Sequence, residues 1–168
     1  MNEHCDVLVA DYSNTCHQAA IADLMQGYSG DLMGGGSALP REHCAKISKA
    51  LETFGHAVTV LAFSKESSNL PLGIATSITS FSTFYLKPVL NLHDVYVVPA
   101  ARKLGVGKAL LEATTAVALR SGCCKLTLEV LTHNTPAKRL YEKFGFQPYQ
   151  LAGEAGTAEF WEKSLAAL

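Results

Sequence analysis

The sequence has few charged residues and no excess of either sign. Lys and Arg number 14 against 15 Asp and Glu, which gives a formal net charge of −1, and only 17% of the 168 residues are charged. The basic residues are scattered along the chain, so no cluster provides an electrostatic surface for nucleic acid or for an anionic membrane. We therefore expect neither a nucleic acid nor a membrane as a partner.

Long apolar runs are also missing. No run reaches the roughly 18 residues of a transmembrane helix, and the opening MNEHCDVLVADY lacks the basic region and long apolar segment of a secretion signal. These features predict a cytoplasmic protein. Because 48% of the residues are hydrophobic, a chain of this length can bury a substantial core, and we expect a single domain over residues 1–168.

The cysteines do not form the patterns of a disulfide framework or a zinc site. There are five, an odd number, and no Cys-x-x-Cys pair occurs. We interpret the adjacent Cys123 and Cys124 as small apolar residues at the start of a strand. The thiols are expected to be reduced, and no metal is expected.

The most informative stretch runs from residue 92 to residue 122. The segment LHDVYVV predicts a strand that stops at Pro99, and Gly122 is placed to end a helix whose apolar positions recur at helical spacing, at Val106, Leu110, Ala113 and Val117. Between them lies RKLGVGK, residues 102–108. A glycine turn from a strand into a helix favours anion binding, because the first helical N–H groups lack partners and the helix dipole is positive there. The expected ligand is a phosphate or pyrophosphate.

Two common phosphate motifs do not match this turn. A nucleoside-triphosphate loop needs four residues between its glycines and a Ser or Thr after its Lys, whereas one residue separates Gly105 from Gly107 and Ala109 follows Lys108. The dinucleotide motif needs a small residue where Leu110 stands. A nucleotide-binding protein with an aberrant loop remains an alternative, and it predicts magnesium-dependent binding of ATP.

A second block, residues 126–146, reads LTLEVLTHNTPAKRLYEKFGF and predicts a strand, a turn and a short helix followed by Gly145-Phe146. Together with Arg-x-x-Gly-x-Gly, in the same order and separation, it resembles the signatures of the GNAT superfamily of acyl-coenzyme A N-acyltransferases. The resemblance implies an α+β fold, with a central, mixed but mostly antiparallel twisted sheet of about seven strands flanked by about four helices.

The resemblance also implies a reaction, the direct transfer of the acetyl group of acetyl-CoA to an amine of a small molecule or peptide. Such an amine is protonated at neutral pH, and freeing it at pH 7 costs about 4.6 kcal/mol. A base is therefore valuable. The alternative is a catalytically silent GNAT-fold module that binds acyl-CoA and regulates another process. Dimerisation is frequent in the superfamily, so a homodimer is a further expectation.

Site residues follow by matching position. Tyr141 corresponds to the family's general acid, which we favour over the alternative of a core tyrosine, and Asn134 corresponds to a residue that bonds the pantetheine arm. Lys143 would reach the adenine-ribose end of the cofactor. Backbone groups for the pantetheine and the thioester would come from Val95, Tyr96 and Val97, and the pyrophosphate would be held by Arg102, Lys103, Leu104, Gly105, Val106, Gly107 and Lys108. The basic residues of that loop could instead form a solvated edge.

The resemblance offers three candidate bases, ranked Asp94, Glu129 and His93, each of which could instead be a structural residue. Strict alternation would put His93 and Asp94 on opposite faces, but a bulge is common in this strand of the fold and makes parity unreliable. Water is a further alternative. Lys103 replaces a glycine often found in the family, and an ordinary helix-like conformation there would accommodate it.

The rest of the chain predicts elements that frame this site. Asn14 or Thr15 could cap a helix running to about Gln26. The Gly-rich loop 27–40 would either shape substrate entry or simply connect two helices. Residues 80–85 could line an acceptor pocket or be ordinary sheet and turn residues. Other predicted elements are a strand at 7–12, a helix at 41–54, a hairpin of 57–63 with 72–81, and a last strand at 159–165 after a turn at 153–157.

Overall fold

The computed structural model describes residues 2–67, 69–150 and 156–165. The chain divides into two compact units, Met1–Leu128 and Glu129–Leu168, and each is described by itself. The first contains β1 (Cys5–Val9), α1 (Thr15–Gly30), α2 (Arg41–Phe54), β2 (Ala57–Ser64), β3 (Pro71–Ser82), β4 (Lys87–Val97), α3 (Val106–Arg120) and β5 (Lys125–Leu128), with short 3₁₀ turns at Leu32–Gly34 and Pro99–Ala101. The second contains α4 (Thr135–Lys143).

The strands form one mixed sheet in the order β1-β2-β3-β4-β5. Neighbours are antiparallel except β4 and β5, which are parallel. The α+β class is confirmed, but the expected sheet of about seven strands is wrong for the described residues, which form five.

The predicted last strand at 159–165 is also wrong, since these residues have no regular structure. Phe160 and Trp161 are both exposed, so this segment buries neither face, and burial of a face is what stabilises a strand of alternating pattern. The turn predicted before it falls partly on residues 151–155, outside the described residues.

Each face of the sheet packs on helices. On one face the strands contribute Val60, Ala62, Leu72 and Ala75, which pack with Val106, Ala109 and Leu110 of α3. On the other face Leu61, Ile74 and Tyr96 pack with Ala20, Ile21 and Leu24 of α1. Successive strand residues point to opposite faces, so β2 and β3 are buried on both sides and read as nearly continuous apolar runs.

Most predicted boundaries near the site are confirmed. Helix α2 has the predicted bounds and ends at Gly55 in the left-handed conformation, with φ of 74°, and the β2–β3 hairpin forms. Asn14 caps α1 by accepting hydrogen bonds from the N–H groups of Cys16 and His17. None of the helices among the described residues combines the length and the hydropathy that a membrane span needs.

The predicted end of α1 near Gln26 is wrong, since the helix continues to Gly30. Gly27 lies inside it, and a Cβ at this position would stand 3.0 Å from the hydroxyl oxygen of Tyr96. The glycine therefore serves close packing of α1 on β4 rather than helix termination. Because α1 continues past Gly27, Tyr28 belongs to this helix and faces the sheet.

Candidate functional site

Strand β4 contains the bulge that the sequence analysis considered. Thr76 pairs with Asp94 and the next residue, Ser77, pairs with Leu92, so His93 is an extra residue on β4. His93 is exposed, while Asp94 is half-buried. Because Tyr96 packs against α1 and lies two residues beyond Asp94 on the same strand, Asp94 is on the α1 face.

Burial raises the pKa of Asp94 above the ordinary value of an aspartate, and the neighbouring His93 opposes this shift. Tyr28 lies close by, since the pKa of its hydroxyl is raised first by burial and then by the charges of Asp94 and Asp31. The rings of Tyr28 and Tyr96 have centroids 5.9 Å apart. We call Asp94, Tyr28 and Tyr96 the Asp94 cluster. A carboxylate of raised basicity beside aromatic rings can hold an ammonium group and accept its proton.

A row of buried hydroxyl groups crosses the same face and leads to Asp94. Thr59 pairs with Thr76 on the next strand, and Thr76 pairs with Asp94. The Oγ1 atoms of the two threonines are 3.2 Å apart, and the Tyr12 hydroxyl lies 2.9 Å from Oγ1 of Thr59. We call Tyr12, Thr59 and Thr76 the hydroxyl row. Sequence reasoning missed it because β-branched threonines in a strand look like ordinary strand formers.

The second half of β4 has an open edge. Strand β5 pairs with β4 only at Val89–Leu92, whereas β3 pairs with β4 as far as Val97. Across the described ranges of the chain, no strand pairs with β4 on the β5 side beyond Leu92. The predicted backbone ligands, Val95, Tyr96 and Val97, lie on this stretch, where peptide groups that face away from β3 can bind an extended ligand. One of them, the Val97 carbonyl, already accepts a 3.1 Å hydrogen bond from Arg102 Nε.

The loop after β4 leads into an uncapped helix start. Gly105 is the N-cap of α3, with φ of 78°, and no side chain caps the helix there. The first α3 amide bonded to a backbone carbonyl of its own turn is that of Ala109, which donates to the Gly105 oxygen at 3.0 Å. The N–H groups of Val106, Gly107 and Lys108 precede it, so they are available to an anion. These groups fit a pyrophosphate.

Lys103 does not have the ordinary helix-like conformation that would accommodate it without strain. Its φ is 68°, in the left-handed region, where an L-residue with a side chain costs about 1–2 kcal/mol. Lys103 therefore adopts a backbone conformation that favours glycine, and it does so under strain.

The cations of the loop mostly have carboxylate partners. Arg102 Nη2 lies 2.5 Å from Asp31 Oδ2, its Nε donates to the Val97 carbonyl at 3.1 Å, and its guanidinium lies 5.9 Å from the Tyr96 ring centroid. Lys108 lies 3.5 Å from Glu112 one helical turn away. The side chain of Arg102 therefore reaches the segment between α1 and α2, which the sequence did not predict.

In the second unit, Asn134 is the N-cap of α4, and its side-chain oxygen accepts a 3.3 Å hydrogen bond from the Ala137 N–H. Thr135 is the first helical residue, and Pro136 follows it. Asn134 lies beyond Leu128, the last residue of β5. Besides the oxygen that caps the helix, the Asn134 side chain has an NH₂ group, which is a hydrogen-bond donor.

Tyr141 is buried within α4, and the Gly-Phe pair of the second signature fixes its ring. Gly145 has φ of 85° and donates its N–H to Glu142 at 3.0 Å, while Phe146 donates to the Tyr141 carbonyl at 3.1 Å. This is a Schellman helix end, in which the residue after the glycine packs back on the last turn. The Phe146 and Tyr141 rings accordingly meet edge to face, 5.8 Å apart.

The other candidates of this unit are at its surface. Glu129 immediately follows β5 and is exposed, and Lys143 is exposed in the last turn of α4. Their predicted roles stay predictions.

The aromatic stretch at 80–85 forms the tip of the β3–β4 hairpin. Residues 80–84, together with Val89, Lys125 and Thr127, line a shallow cleft of about 320 Å³, and Phe84 and Tyr85 are exposed. Along β4, Lys87 and Asp94 are separated by about 23 Å at 3.3 Å per residue. The cleft is thus at the end of β4 opposite the Asp94 cluster, which does not favour it as the acceptor pocket.

Comparison with known proteins identifies one family. The profile of the Acetyltransferase (GNAT) family matches residues 27–146. The N-acetyltransferase YhfO of Bacillus subtilis is 37% identical over 76 residues, which are 45% of this chain and 51% of that protein. A thialysine N-epsilon-acetyltransferase of Bos taurus is 38% identical over 68 residues, 40% of this chain and 39% of that protein. The chain thus matches about half or less of the length of these curated relatives.

Solved structures share the fold. A probable acetyltransferase superposes with a TM-score of 0.76 at 24% identity, covering 94% of this chain and 99% of the other. An aminoglycoside N-acetyltransferase in complex with CoA superposes with a TM-score of 0.69 at 19% identity, covering 95% of each chain.

Proposed function

Because the chain belongs to the acetyltransferase (GNAT) family, we propose that it transfers the acetyl group of acetyl-CoA to a primary amine of a small molecule or peptide. The observation that supports this most directly is the open edge of β4 beyond Leu92. This edge connects the Asp94 cluster with the loop that leads into α3. An extended acyl-CoA bound along this edge would place its acyl group near the Asp94 cluster and its diphosphate at the loop that leads into α3.

The cofactor site that we propose uses mostly backbone groups. The pyrophosphate binds the N–H groups of Val106, Gly107 and Lys108 at the uncapped start of α3. The pantetheine arm extends along Val95–Val97. The remaining contacts are proposed for Arg102, Lys103, Leu104 and Gly105 of the loop, and for Asn134 and Lys143.

Asp94 is the proposed base. It accepts one proton from the acceptor's ammonium group, and the freed amine then forms the C–N bond while the thioester C–S bond breaks. The nitrogen loses its second proton to solvent as the amide forms, and this loss balances the proton that Tyr141 gives to the thiolate and regains from solvent. Burial gives Asp94 a raised pKa and hence a stronger basicity, whereas His93 and Glu129 are exposed. N–H groups on the β4 edge would stabilise the carbonyl oxygen as negative charge develops, and Tyr141 would donate its hydroxyl proton to the departing thiolate.

An amine acceptor is supported by two independent points. Relatives are named for acetylation at nitrogen, including the thialysine N-epsilon-acetyltransferase and the aminoglycoside N-acetyltransferase. In this chain the Asp94 cluster combines a carboxylate with two tyrosine rings, a combination that attracts alkylammonium groups.

We further propose that both compact units belong to one acetyltransferase domain. The family profile covers residues 27–146 without a break, and so crosses the division between Leu128 and Glu129.

The test is release of free CoA thiol from acetyl-CoA over a panel of primary amines. The expected result is amine-dependent release, which is lost in Gly107→Val because a branched side chain would occupy the place of the phosphate, and partly retained in Gly107→Ala. Acetyl-CoA binding without thiol release for any amine would favour the catalytically silent module. Magnesium-dependent ATP binding without acetyl-CoA binding would favour the nucleotide-binding alternative.

A further inference from the structure

Asp31 joins two segments that are far apart in sequence. It lies between α1 and the short 3₁₀ turn Leu32–Gly34, and it pairs with Arg102, the first residue of the pyrophosphate loop. Arg102 is simultaneously tied to the end of β4, because its Nε donates to the Val97 carbonyl at 3.1 Å. A single guanidinium therefore connects β4, the loop and residues 31–36, which we call the Asp31 turn.

The two carboxylate oxygens of Asp31 have different partners. Oδ1 accepts the Met33 N–H at 2.9 Å, whereas Oδ2 accepts from Arg102. The main-chain oxygen of Asp31 accepts the N–H groups of Gly34 and Gly36, each at 2.9 Å. The folding of the Asp31 turn thus depends on the same residue that holds the loop cation.

The Asp31–Arg102 ion pair is weak enough for a bound ligand to change its stability. The Arg102 side chain is 47% exposed and that of Asp31 is 19% exposed, and an ion pair at a surface is worth little because ordering two side chains costs entropy. A ligand that immobilises the backbone of residues 102–108 removes part of this cost. It then shifts the pair, and the turn attached to it, toward the ordered state.

We propose that CoA binding at residues 102–108 orders the Asp31 turn through the Asp31–Arg102 ion pair. This inference rests on the proposed function, because it needs a loop that binds CoA. Asp31 and Arg102 act as positioning residues, and cofactor binding prepares the segment between the first two strands. This coupling is reciprocal. Loss of the ion pair therefore weakens CoA binding by the same factor by which CoA favours the ordered turn.

The test measures amide hydrogen exchange of a peptide covering residues 31–37, with and without saturating CoA, together with the CoA affinity by calorimetry. Asp31→Asn is the informative variant because its amide oxygen can still accept the Met33 N–H, while the charge that pairs with Arg102 is gone. Asp23→Asn is the matched control, since it removes the 3.2 Å ion pair between Asp23 of α1 and Arg41 of α2. Arg102→Lys provides a second approach, because lysine keeps the charge but lacks the planar fork.

In the wild type and in Asp23→Asn, we expect CoA to slow exchange in the Asp31 turn about fivefold, at the low end of typical couplings. In Asp31→Asn the slowing should disappear and the CoA dissociation constant should rise about fivefold, with a smaller loss of slowing in Arg102→Lys. The inference is overturned if CoA binds the wild type without slowing exchange, or if Asp31→Asn retains the full effect. Absence of any CoA binding by calorimetry would instead overturn the proposed function, and the inference with it.

Discussion

The two faces of the sheet differ in chemistry although the same strands build both. The α3 face has a mainly apolar core, with Ala62, Ala75 and Leu110 fully buried, and its buried hydroxyl groups are those of Ser77 and Thr114. The α1 face also has an apolar core, but the hydroxyl row crosses it and ends at Asp94. The comparison teaches that the α3 face mainly holds the fold together, whereas the α1 face contains a half-buried carboxylate and a connected row of hydroxyl groups, which a core built for stability alone would avoid.

The bulge in β4 creates this difference at the site. Without it, Leu92 and Asp94 would point to the same face, because they are two residues apart. Since they pair with the adjacent residues Ser77 and Thr76, they point to opposite faces. One extra residue, His93, thereby lets β4 supply an apolar side chain to one face and a carboxylate to the other.

The largest effect should come from removing the carboxylate on the α1 face. Asp94→Asn is expected to lower turnover by about 10²–10⁴-fold, the usual contribution of general acid–base catalysis, as measured by thiol release at saturating acetyl-CoA. Burial raises the pKa of Asp94, so the charged form is a cost to the folded state at neutral pH. The variant should therefore unfold at the same or a higher temperature. Full turnover in Asp94→Asn would remove Asp94 as the base.

The corresponding substitution on the α3 face should lower the stability of the protein and leave CoA binding nearly unchanged. Leu110 is completely buried, so Leu110→Ala is expected to lower the free energy of unfolding by about 2–5 kcal/mol, measured by urea denaturation. The CoA dissociation constant, corrected for the folded fraction, should change little. A stable Leu110→Ala protein that has lost CoA binding would contradict the division between the faces.

A third substitution probes the hydroxyl row. Thr59 is buried and bonded to two hydroxyl groups, so Thr59→Val leaves Tyr12 and Thr76 without this partner at a cost of about 1–3 kcal/mol. Urea denaturation measures this loss. Turnover should fall much less than in Asp94→Asn, because Thr59 contacts no reacting group. A loss of turnover as large as that of Asp94→Asn would make the row part of the chemistry.

The smallest effect is expected outside both faces, in the loop. Lys103 has a left-handed backbone, so Lys103→Gly should relieve about 1 kcal/mol of strain and raise the melting temperature by about 2–4 °C. The melting temperatures of the variant and the wild type are measured by thermal unfolding without ligand. An unchanged or lower melting temperature would show that the loop is not strained at this residue.

The sequence predicted the parts of the fold that have strong periodicity. Helix α2, the β2–β3 hairpin, the end of β4 and the Gly105 turn into α3 each combine a regular apolar pattern with a clear stop signal, as at Gly55 and Pro99. Local signals sufficed for them, because their boundaries are set by their own residues. The start of β4 was missed, since the strand begins at Lys87, before the predicted segment LHDVYVV.

What the sequence could not predict depends on tertiary contacts. Gly27 looked like a helix end, but it is a close contact with Tyr96, and this hid both Tyr28 and the position of Asp31. The Asp31–Arg102 ion pair joins segments with no shared pattern. The left-handed Lys103 has no composition signal either, because lysine gives no indication of positive φ.

The pH dependence of kcat/KM for thiol release, with an amine from the panel, tests most directly whether chemistry takes place on the α1 face. A base works only when deprotonated, and burial raises the pKa of Asp94, so activity should fall as the pH drops through a value above that of an ordinary aspartate. The residual activity of Asp94→Asn should lack this acid limb. An identical acid limb in the wild type and in Asp94→Asn would contradict the account.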